Sequence, residues 1–233
     1  MLLYTQTRTG NYYLPTDAPR DIVIEAIRAG AIFEPEIVEV ARRFIRPGTV
    51  VIDAGSNFGQ MALLFAREVG PQGQVLAFEA QRWVYGVLEK NVAANRAENV
   101  VPIFAALFNE TGRQFRFPRP DLLRFDAYGS YNLPLAAAEG DPVGSLRIDD
   151  LAISRPVSFI KLDLQGCDLF AMQGAAATIA RNRMPIVFEF EQEFQAEYGT
   201  DFQAYVDFVA SIGYRFSETI LGNNYLIEPG EGR

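Results

Sequence analysis

From about residue 50 onward, short hydrophobic runs alternate with amphipathic segments along this chain. Five runs are apolar at nearly every position and cover residues 50–54, 75–78, 100–105, 157–164 and 185–190. The segments between and after them have the apolar spacing of helices, at about 59–69, 81–95, 168–182 and 201–211. Strands that are apolar on both faces and joined by helices are typical of a parallel sheet covered on both sides. The pattern therefore predicts an α/β protein.

Both ends of the chain carry the pattern of an antiparallel hairpin. Residues 2–4 and 12–14 flank a turn at 8–11, and residues 214–217 and 225–227 flank a turn at 221–224. After the first hairpin, Pro35 begins a predicted helix that ends before Pro47. We expect a single domain, 1–233, made of an N-terminal hairpin and helix (1–46), a ligand-binding half (47–111), a variable insertion (112–147) and the C-terminal half of the sheet (148–233).

The insertion at 112–147 has eight Pro and Gly residues and no strong periodicity. A segment of that length inside a compact domain is often functional, so we expect it to cover a substrate, with a surface insertion as the alternative. Five of its aromatic side chains are expected either to line a substrate site or simply to pack: Phe115, Phe117, Phe125, Tyr128 and Tyr131. Four of its arginines would attract an anionic substrate or face solvent: Arg113, Arg116, Arg119 and Arg124.

Composition limits the partners and the kinds of catalytic and metal site that this chain can have. The 233 residues are 49% hydrophobic and 21% charged, which is enough for one substantial core. There are 21 basic and 29 acidic residues, a net charge of −8, and this balance opposes a nucleic-acid partner because phosphate binding needs clustered Lys and Arg. Histidine is absent and Cys167 is the one cysteine, so a Ser-His-Asp triad, a His-ligated zinc site and an intrachain disulfide are excluded.

The N-terminal residues lack the pattern of a secretory signal, and no run reaches about 18 apolar residues. We therefore expect a cytoplasmic protein without a membrane span.

Residues 50–59 predict a buried strand, a glycine-rich turn and the start of a helix, where unpaired backbone N–H groups and close backbone approach create a ligand site. The dinucleotide-binding pattern fails, because glycines would be needed where Asn57 and Gln60 stand, and no P-loop occurs. Glu79 ends the second strand, where an acid can accept both hydroxyls of a ribose. Its alternative is an exposed strand-end glutamate. A nucleoside without a diphosphate satisfies both observations.

Together with later motifs, these residues resemble the FkbM-type family of class I S-adenosylmethionine-dependent methyltransferases. The matching residues are Phe33 to Glu36, Pro47-Gly48, 51–59, Ala77-Phe78-Glu79, Asn91, Asn95, Ala105-Ala106, 146–151, 159–163, Gly166, Gly174-Ala175 and 185–189. Ile160-Lys161 followed by Asp163 and Gly166 is the most specific part. The resemblance implies a Rossmann-like seven-stranded, mostly parallel sheet with helices on both faces and a C-terminal antiparallel hairpin. It also implies S-adenosylmethionine as cofactor and a hydroxyl acceptor on a small molecule, sugar or lipid.

On this basis the cofactor is expected to contact eight residues: Asp53, Gly55, Ser56, Asn57, Gly59, Glu79, Ala106 and Asp163. A hydroxyl nucleophile must lose its proton, and without histidine the candidate catalytic residues are Asp163, Glu189 and Lys161. For Lys161 the alternative is a structural ion pair with a carboxylate, and for Glu189 it is a strand-end acid that faces solvent.

Gln165 departs from the family pattern, which commonly has Glu at that position, and Asp168 stands where Glu is common. Losing a carboxylate at 165 removes a potential proton acceptor, so a noncatalytic cofactor-binding or interaction protein on the same scaffold is the alternative function. A nicotinamide oxidoreductase is disfavoured by Asn57 and Gln60. No metal is expected, because Lys161 beside Asp163 would repel a divalent cation.

Overall fold

The computed structural model describes residues 1–122 and 127–230. Its strands are β1 (Leu2–Thr7), β2 (Gly10–Pro15), β3 (Val50–Ala54), β4 (Gln74–Glu79), β5 (Val100–Phe104), β6 (Ala106–Leu107), β7 (Gln114–Phe117), β8 (Asp141–Leu146), β9 (Val157–Leu162), β10 (Ile186–Glu189), β11 (Tyr214–Ile220) and β12 (Asn224–Pro229). Its helices are α1 (Ile22–Arg28), α2 (Pro35–Phe44), α3 (Gln60–Val69), α4 (Arg82–Ala94), α5 (Asp168–Gln173), α6 (Ala176–Asn182), α7 (Gln192–Tyr198) and α8 (Phe202–Ser211), with a 3-10 turn at Ile148–Asp150.

The centre of the molecule is a seven-stranded sheet in the order β11-β12-β10-β9-β3-β4-β5. Strands β10, β9, β3, β4 and β5 are parallel, and β12 pairs with β10 antiparallel. The predicted seven-stranded, mostly parallel sheet with a C-terminal antiparallel hairpin is confirmed. β3 lies at the position where the chain reverses its direction across the sheet, and in open α/β sheets ligands bind at the carboxyl ends of the strands beside such a point.

Helices cover both faces of this sheet. Neighbouring residues of β3 point to opposite sides, so each contacts a different layer of helices. Val51 belongs to a buried cluster that also contains residues of α2 and α3. Ile52 belongs to a second buried cluster, formed with residues of α5, α6 and α8. The apolar run at 50–54 is therefore a strand buried on both faces, as its composition predicts.

The N-terminal hairpin is present and longer than expected, and α1 follows it. Asp21 caps α1, since its Oδ1 accepts hydrogen bonds from the N–H groups of Val23 and Ile24. The hairpin is held to α4 by Asn91, whose Oδ1 accepts from the Tyr13 N–H at 2.6 Å.

Three parts of the predicted element pattern differ from the structure. Residues 112–147 include β7 and β8, which form a three-stranded sheet with β6, so the insertion is partly regular. The helix expected at 168–182 is two helices: α5 ends at Gln173, and Gly174, which follows it, lies so close to the Phe108 carbonyl oxygen that a Cβ would collide with it. Helices α1 and α7 are short and were not expected from the pattern.

No helix within the described ranges has the length and hydropathy needed to cross a membrane. The cytoplasmic location and the division of the chain into one domain stay predictions.

Candidate functional site

The carboxyl ends of the central strands open onto two adjoining cavities. The Glu79 cavity is lined by residues that include Glu79, Gln81 and Ala106. The Lys161 cavity, which is larger at about 240 Å³, is lined by residues that include Glu34, Lys161 and Glu189. The two cavities share the lining residues Gly55, Asn57, Gly129, Asp163 and Gln165.

Glu79 lies at the end of β4 and is fastened by backbone groups. Its Oε2 accepts from the Asn57 N–H at 3.0 Å, and its Oε1 accepts from the Gln81 N–H at 2.8 Å. Burial raises the pKa of Glu79 to about 7, against these two hydrogen bonds, which lower it. Most other walls of the Glu79 cavity are alkyl or aromatic: Phe78, Ala80, Val84, Ala105, Ala106, Leu107, Phe117 and Leu133.

Two glycines of the glycine-rich turn, Gly55 and Gly59, lie in close contact with neighbouring elements of the fold. A Cβ on Gly55 would collide with the Asp163 carbonyl oxygen, and a Cβ on Gly59 would lie 2.6 Å from Leu88 Cδ1. These glycines therefore allow β3 to approach the end of β9 and α3 to pack on α4. That they also contact a ligand stays a prediction. Gly59 and the fully buried Asp53 are not among the residues that line either cavity.

Ser56 and Asn57 complete the turn. The Ser56 hydroxyl donates to the Asp53 carbonyl oxygen at 2.9 Å, which holds the turn against the end of β3. Asn57 has a left-handed backbone, with φ 49°, and its buried Oδ1 has no hydrogen-bond partner.

Lys161, only 3% exposed, forms the ion pair that was its alternative interpretation. Its Nζ lies 3.2 Å from Asp163 Oδ2, 3.8 Å from Asp53 Oδ1 and 3.1 Å from the Gly55 carbonyl oxygen. Burial opposes the charge, but Asp163 and Asp53 raise the pKa of Lys161 above its usual value. The side chain is therefore a charged ammonium that ties together the ends of β3 and β9.

Gln165 bridges the two candidate carboxylates. Its Nε2 donates to Asp163 Oδ1 at 3.0 Å and to Glu189 Oε2 at 3.1 Å, while Asn223 Nδ2 donates to Glu189 Oε1 at 2.8 Å. Burial opposes the charge of Asp163, yet Lys161 and these hydrogen bonds hold its pKa below the usual value. Glu189 is 8% exposed, so it does not face solvent, and burial together with Asp163 raises its pKa to about 11. The two carboxyl groups are thus shifted in opposite directions, with the pKa of Asp163 lowered and that of Glu189 raised.

Two further acids line the Lys161 cavity and were not expected there. Burial raises the pKa of Glu34 to about 7 and that of Glu191 to about 8, and Asp163 adds to both shifts. The buried Oε2 of Glu191 has no hydrogen-bond partner. Glu34 directly precedes α2, and Glu191 directly precedes α7, two residues beyond the end of β10.

The insertion contributes to the Glu79 cavity through Phe117, Tyr128, Tyr131 and Leu133. Tyr128 is held in place, since its N–H donates to Asp21 Oδ2 at 2.9 Å and its ring stacks on Trp83 with centroids 4.5 Å apart. Cys167 also lines this cavity. Burial raises the pKa of its thiol to about 12, so the side chain is an uncharged thiol.

The remaining predicted residues of the insertion lie elsewhere. Phe115 packs in a buried cluster with Phe108. Arg113 lies over the Phe115 ring, and Arg119 pairs with Asp141 at 2.9 Å. Arg116 donates to the Gly140 carbonyl oxygen at 3.4 Å. Arg124 and Phe125 lie outside the described residues.

A family model described as the Methyltransferase FkbM domain matches residues 53–216. The chain belongs to the FkbM methyltransferase family. A match that covers this much of the chain confirms the predicted family and its methyl-donor cofactor, S-adenosylmethionine. The unpartnered oxygens of Asn57 and Gln81 and the acid-tipped apolar Glu79 cavity fit a bound nucleoside.

Solved structures resemble this FkbM-family chain in fold. A candidate rRNA methylase from Clostridium thermocellum has a TM-score of 0.56 at 13% identity, over 85% of this chain and 96% of that one. A candidate methyltransferase from Streptococcus mutans in complex with SAH has a TM-score of 0.50 at 10% identity, over 84% and 96%. A methyltransferase FkbM from Methylobacillus flagellatus KT has a TM-score of 0.48 at 18% identity, over 82% and 50%.

Among curated proteins, an arsenite methyltransferase from Halobacterium salinarum is 43% identical over 54 residues, which is 23% of this chain. The matched region spans only 14% of that relative's length.

Proposed function

We propose that this protein transfers the methyl group of S-adenosylmethionine to a hydroxyl on a small molecule, a sugar or a lipid-type acceptor. One observation carries the proposal: the Glu79 cavity and the Lys161 cavity share five lining residues, Asp163 among them. With the adenosine of the cofactor in the Glu79 cavity and the acceptor in the Lys161 cavity, the two molecules would meet beside Asp163.

In this proposal Glu79 accepts the ribose hydroxyls, while Gly55, Asn57 and Ala106 contact the cofactor directly. Ser56, which belongs to the same turn, lines the Lys161 cavity. Asp53 and Gly59 would act indirectly. Asp53 faces Lys161 across the paired strands, and Gly59 sets the position of α3.

The cofactor, when bound, supplies an activated methyl group together with its leaving group, so the chain's main task is to position the acceptor. Lys161 is charged and cannot take a proton, and it serves as a positioning residue for Asp163. Glu189 is already protonated at neutral pH. Asp163 is the charged group that would orient the acceptor hydroxyl. Glu34 and Glu191, with pKa values raised to about 7 and 8, suit proton removal near neutral pH.

The second candidate function is a noncatalytic cofactor-binding protein, and Gln165 favours it. Its amide occupies one oxygen of Asp163 and one oxygen of Glu189, and both carboxyl groups would otherwise be available to an acceptor. The variant Gln165→Glu separates the candidates, since activity that appears only in this variant would support the binder.

Calorimetry with S-adenosylhomocysteine tests the cofactor site, and methyl transfer from labelled S-adenosylmethionine to a panel of acceptors tests the reaction. The panel should contain amines beside hydroxyl compounds, because Glu34, Asp163 and Glu191 give the Lys161 cavity an acidic lining. Transfer to amines alone would overturn the hydroxyl assignment. Absence of S-adenosylhomocysteine binding would overturn the proposed placement of the cofactor.

Metal independence stays a prediction. Within residues 1–122 and 127–230, no group of three or more Asp, Glu and Cys side chains is arranged to hold a metal ion. Full activity in EDTA is expected, and activity that is lost in EDTA and restored by magnesium would contradict it.

A further inference from the structure

Gln81 is a buried glutamine of the Glu79 cavity whose side-chain oxygen has no partner. The residue directly precedes α4 and is 4% exposed. Its Nε2 donates to the Tyr128 carbonyl oxygen at 3.2 Å, whereas its Oε1 is buried without a hydrogen bond. A carbonyl oxygen can only accept, so the nitrogen must face Tyr128 and the oxygen is the free atom.

The surroundings of Gln81 show what kind of group would satisfy this oxygen. Its neighbours on the cavity wall, Ala80, Val84 and Leu107, have only alkyl side chains. Buried polar atoms in folded proteins nearly always have a partner, so an unsatisfied acceptor in an apolar cavity indicates a ligand with a matching donor. A flat heteroaromatic ring with an N–H donor at its edge fits the apolar part of the cavity around the free oxygen of Gln81.

We propose that Gln81 Oε1 accepts a hydrogen bond from the exocyclic amine of the adenine ring of S-adenosylmethionine. The inference rests on the proposed placement of adenosine in the Glu79 cavity. Glu79 stands two residues earlier and would take the ribose, so Gln81 is positioned to reach the base of the same nucleoside. The ring nitrogens of adenine are acceptors and cannot pair with Oε1, which leaves the exocyclic amine as the donor.

This arrangement makes Gln81 a specificity-determining residue. A purine with a carbonyl oxygen in place of the amine would bring two acceptors together, and because its remaining donor, N1–H, lies at a different point of the ring edge, the site would bind it less tightly. The bond from Nε2 to Tyr128 fixes the orientation of the amide, so recognition of the base also depends on residue 128 of the insertion.

The test compares S-adenosylhomocysteine with its inosine analogue, in which a carbonyl replaces the amine, by calorimetry on the full chain. The wild-type protein is expected to bind the adenine compound about 10- to 100-fold more tightly. Equal affinity for the two compounds would overturn the proposal without any variant being needed. Binding of neither compound would instead overturn the cofactor placement, so the two failures can be distinguished.

The variant Gln81→Met keeps a side chain of similar length but removes the acceptor. It is expected to bring the affinity ratio of the two compounds close to 1. Loss of the bond to Tyr128 would weaken both compounds alike, so the ratio isolates the contact to the base. The exposed Gln72, which lines neither cavity, provides the control Gln72→Met with an unchanged ratio. A wild-type ratio in Gln81→Met would show that another group recognises the base.

Discussion

At the scale of single residues, the site depends on the contacts that Gln165 and Lys161 make with the neighbouring carboxyl groups. Lys161 lowers the pKa of Asp163, burial together with Asp163 raises that of Glu189, and the Gln165 amide donates to both carboxyl groups. A glutamate at position 165 would lose both donated hydrogen bonds and place a third carboxyl group between two others. Position 165 therefore determines a hydrogen bond that each of the two neighbouring carboxyl groups accepts.

The opposite pKa shifts of Asp163 and Glu189 give a prediction for two conservative variants. Asp163→Asn removes a charge that is present, and turnover is expected to fall by roughly 10² to 10⁴ if this charge assists the acceptor. Glu189→Gln replaces a protonated acid with an amide of the same shape, so turnover is expected to stay within about tenfold. Steady-state kinetics measures both, with urea unfolding as the control for folding. A larger loss in Glu189→Gln would reverse these roles.

Glu79 gives a prediction about pH. Its pKa in the free protein is raised to about 7, and ribose hydroxyls bind the charged form more strongly, so binding must displace a proton below that pH. The affinity for S-adenosylhomocysteine is therefore expected to weaken as the pH falls from 8 to 6 and to level off above 8.

In Glu79→Ala the pH dependence should disappear and the affinity should fall by about 1.5 to 3 kcal/mol, or about ten- to a hundredfold. Calorimetry at pH 6, 7 and 8 measures this. Glu89→Ala, at an exposed acid of α4 that hydrogen-bonds to Tyr85, is the matched control. Unchanged affinity in Glu79→Ala would mean that the ribose lies elsewhere.

The sequence predicted some of these residues and not others, for a physical reason. Glu79, Lys161 and Asp163 are near strand ends, where the apolar run itself shows that they reach the edge of the sheet. Gln81 and Glu191 lie in connections beyond the strands, and their place in the cavities depends on how the chain turns there. The charge states could not be predicted at all, because they arise from contacts between β9, β10 and the C-terminal hairpin.

At the scale of elements, the approach of β3 to the end of β9 depends on Gly55. The residue has φ 76°, and its missing Cβ makes room for the Asp163 carbonyl oxygen. Gly48 has nearly the same φ, 79°, but a Cβ there would meet nothing within 4 Å. Substitutions at Gly48 and Gly55 can therefore distinguish the conformational cost of a left-handed residue from the cost of a steric collision.

Gly48→Ala is expected to lower the free energy of unfolding by roughly 1 kcal/mol, which is the cost of the backbone conformation alone. Gly55→Ala is expected to cost a further 1 to 3 kcal/mol, about the penalty of overpacking, and to abolish S-adenosylhomocysteine binding because Asp163 and the turn must move apart. Urea unfolding and calorimetry measure the two effects. Equal stability losses in the two variants would contradict the close contact.

The sequence predicted the strands that are buried on both faces, because burial requires a run of apolar residues. It did not predict the end of a helix that lies at a single tertiary contact. The apolar runs of β3, β4, β5, β9 and β10 are long enough to identify strands, and the structure confirms them. The break between α5 and α6 includes Gly174, which packs against the Phe108 carbonyl oxygen, more than sixty residues away in sequence. Periodicity within 168–182 contains no information about that contact.

At the scale of the whole molecule, the N-terminal residues are fastened to the turn that begins the proposed cofactor site. Asn91 accepts from Tyr13 and donates to the Phe58 carbonyl oxygen at 2.9 Å. Gln60 accepts from the Phe33 N–H at 2.8 Å and donates to the Ala31 carbonyl oxygen at the same distance. Gln60, which breaks the dinucleotide-binding pattern, thus holds the segment that leads to Glu34 and the Lys161 cavity.

The charge of the whole molecule leads to the last prediction, which concerns nucleic acid. The solved structures of similar fold include a candidate rRNA methylase, yet this chain has 29 acidic and 21 basic residues. Near the proposed site Lys161 is neutralised by Asp163 and Asp53, and Arg119 of the insertion pairs with Asp141. Phosphates that approach the Lys161 cavity would meet Glu34 and Glu191.

We therefore expect no saturable binding of a structured RNA at micromolar protein concentrations and 150 mM salt, measured by fluorescence anisotropy with a basic RNA-binding protein as the positive control. Any weak signal at 50 mM salt should disappear by 200 mM, since binding through a few released counterions falls steeply with salt. Micromolar or tighter binding that persists at 200 mM salt would contradict the prediction. Such binding would have to come from groups other than phosphate-binding arginines and lysines, and it would move the acceptor search from small molecules to RNA.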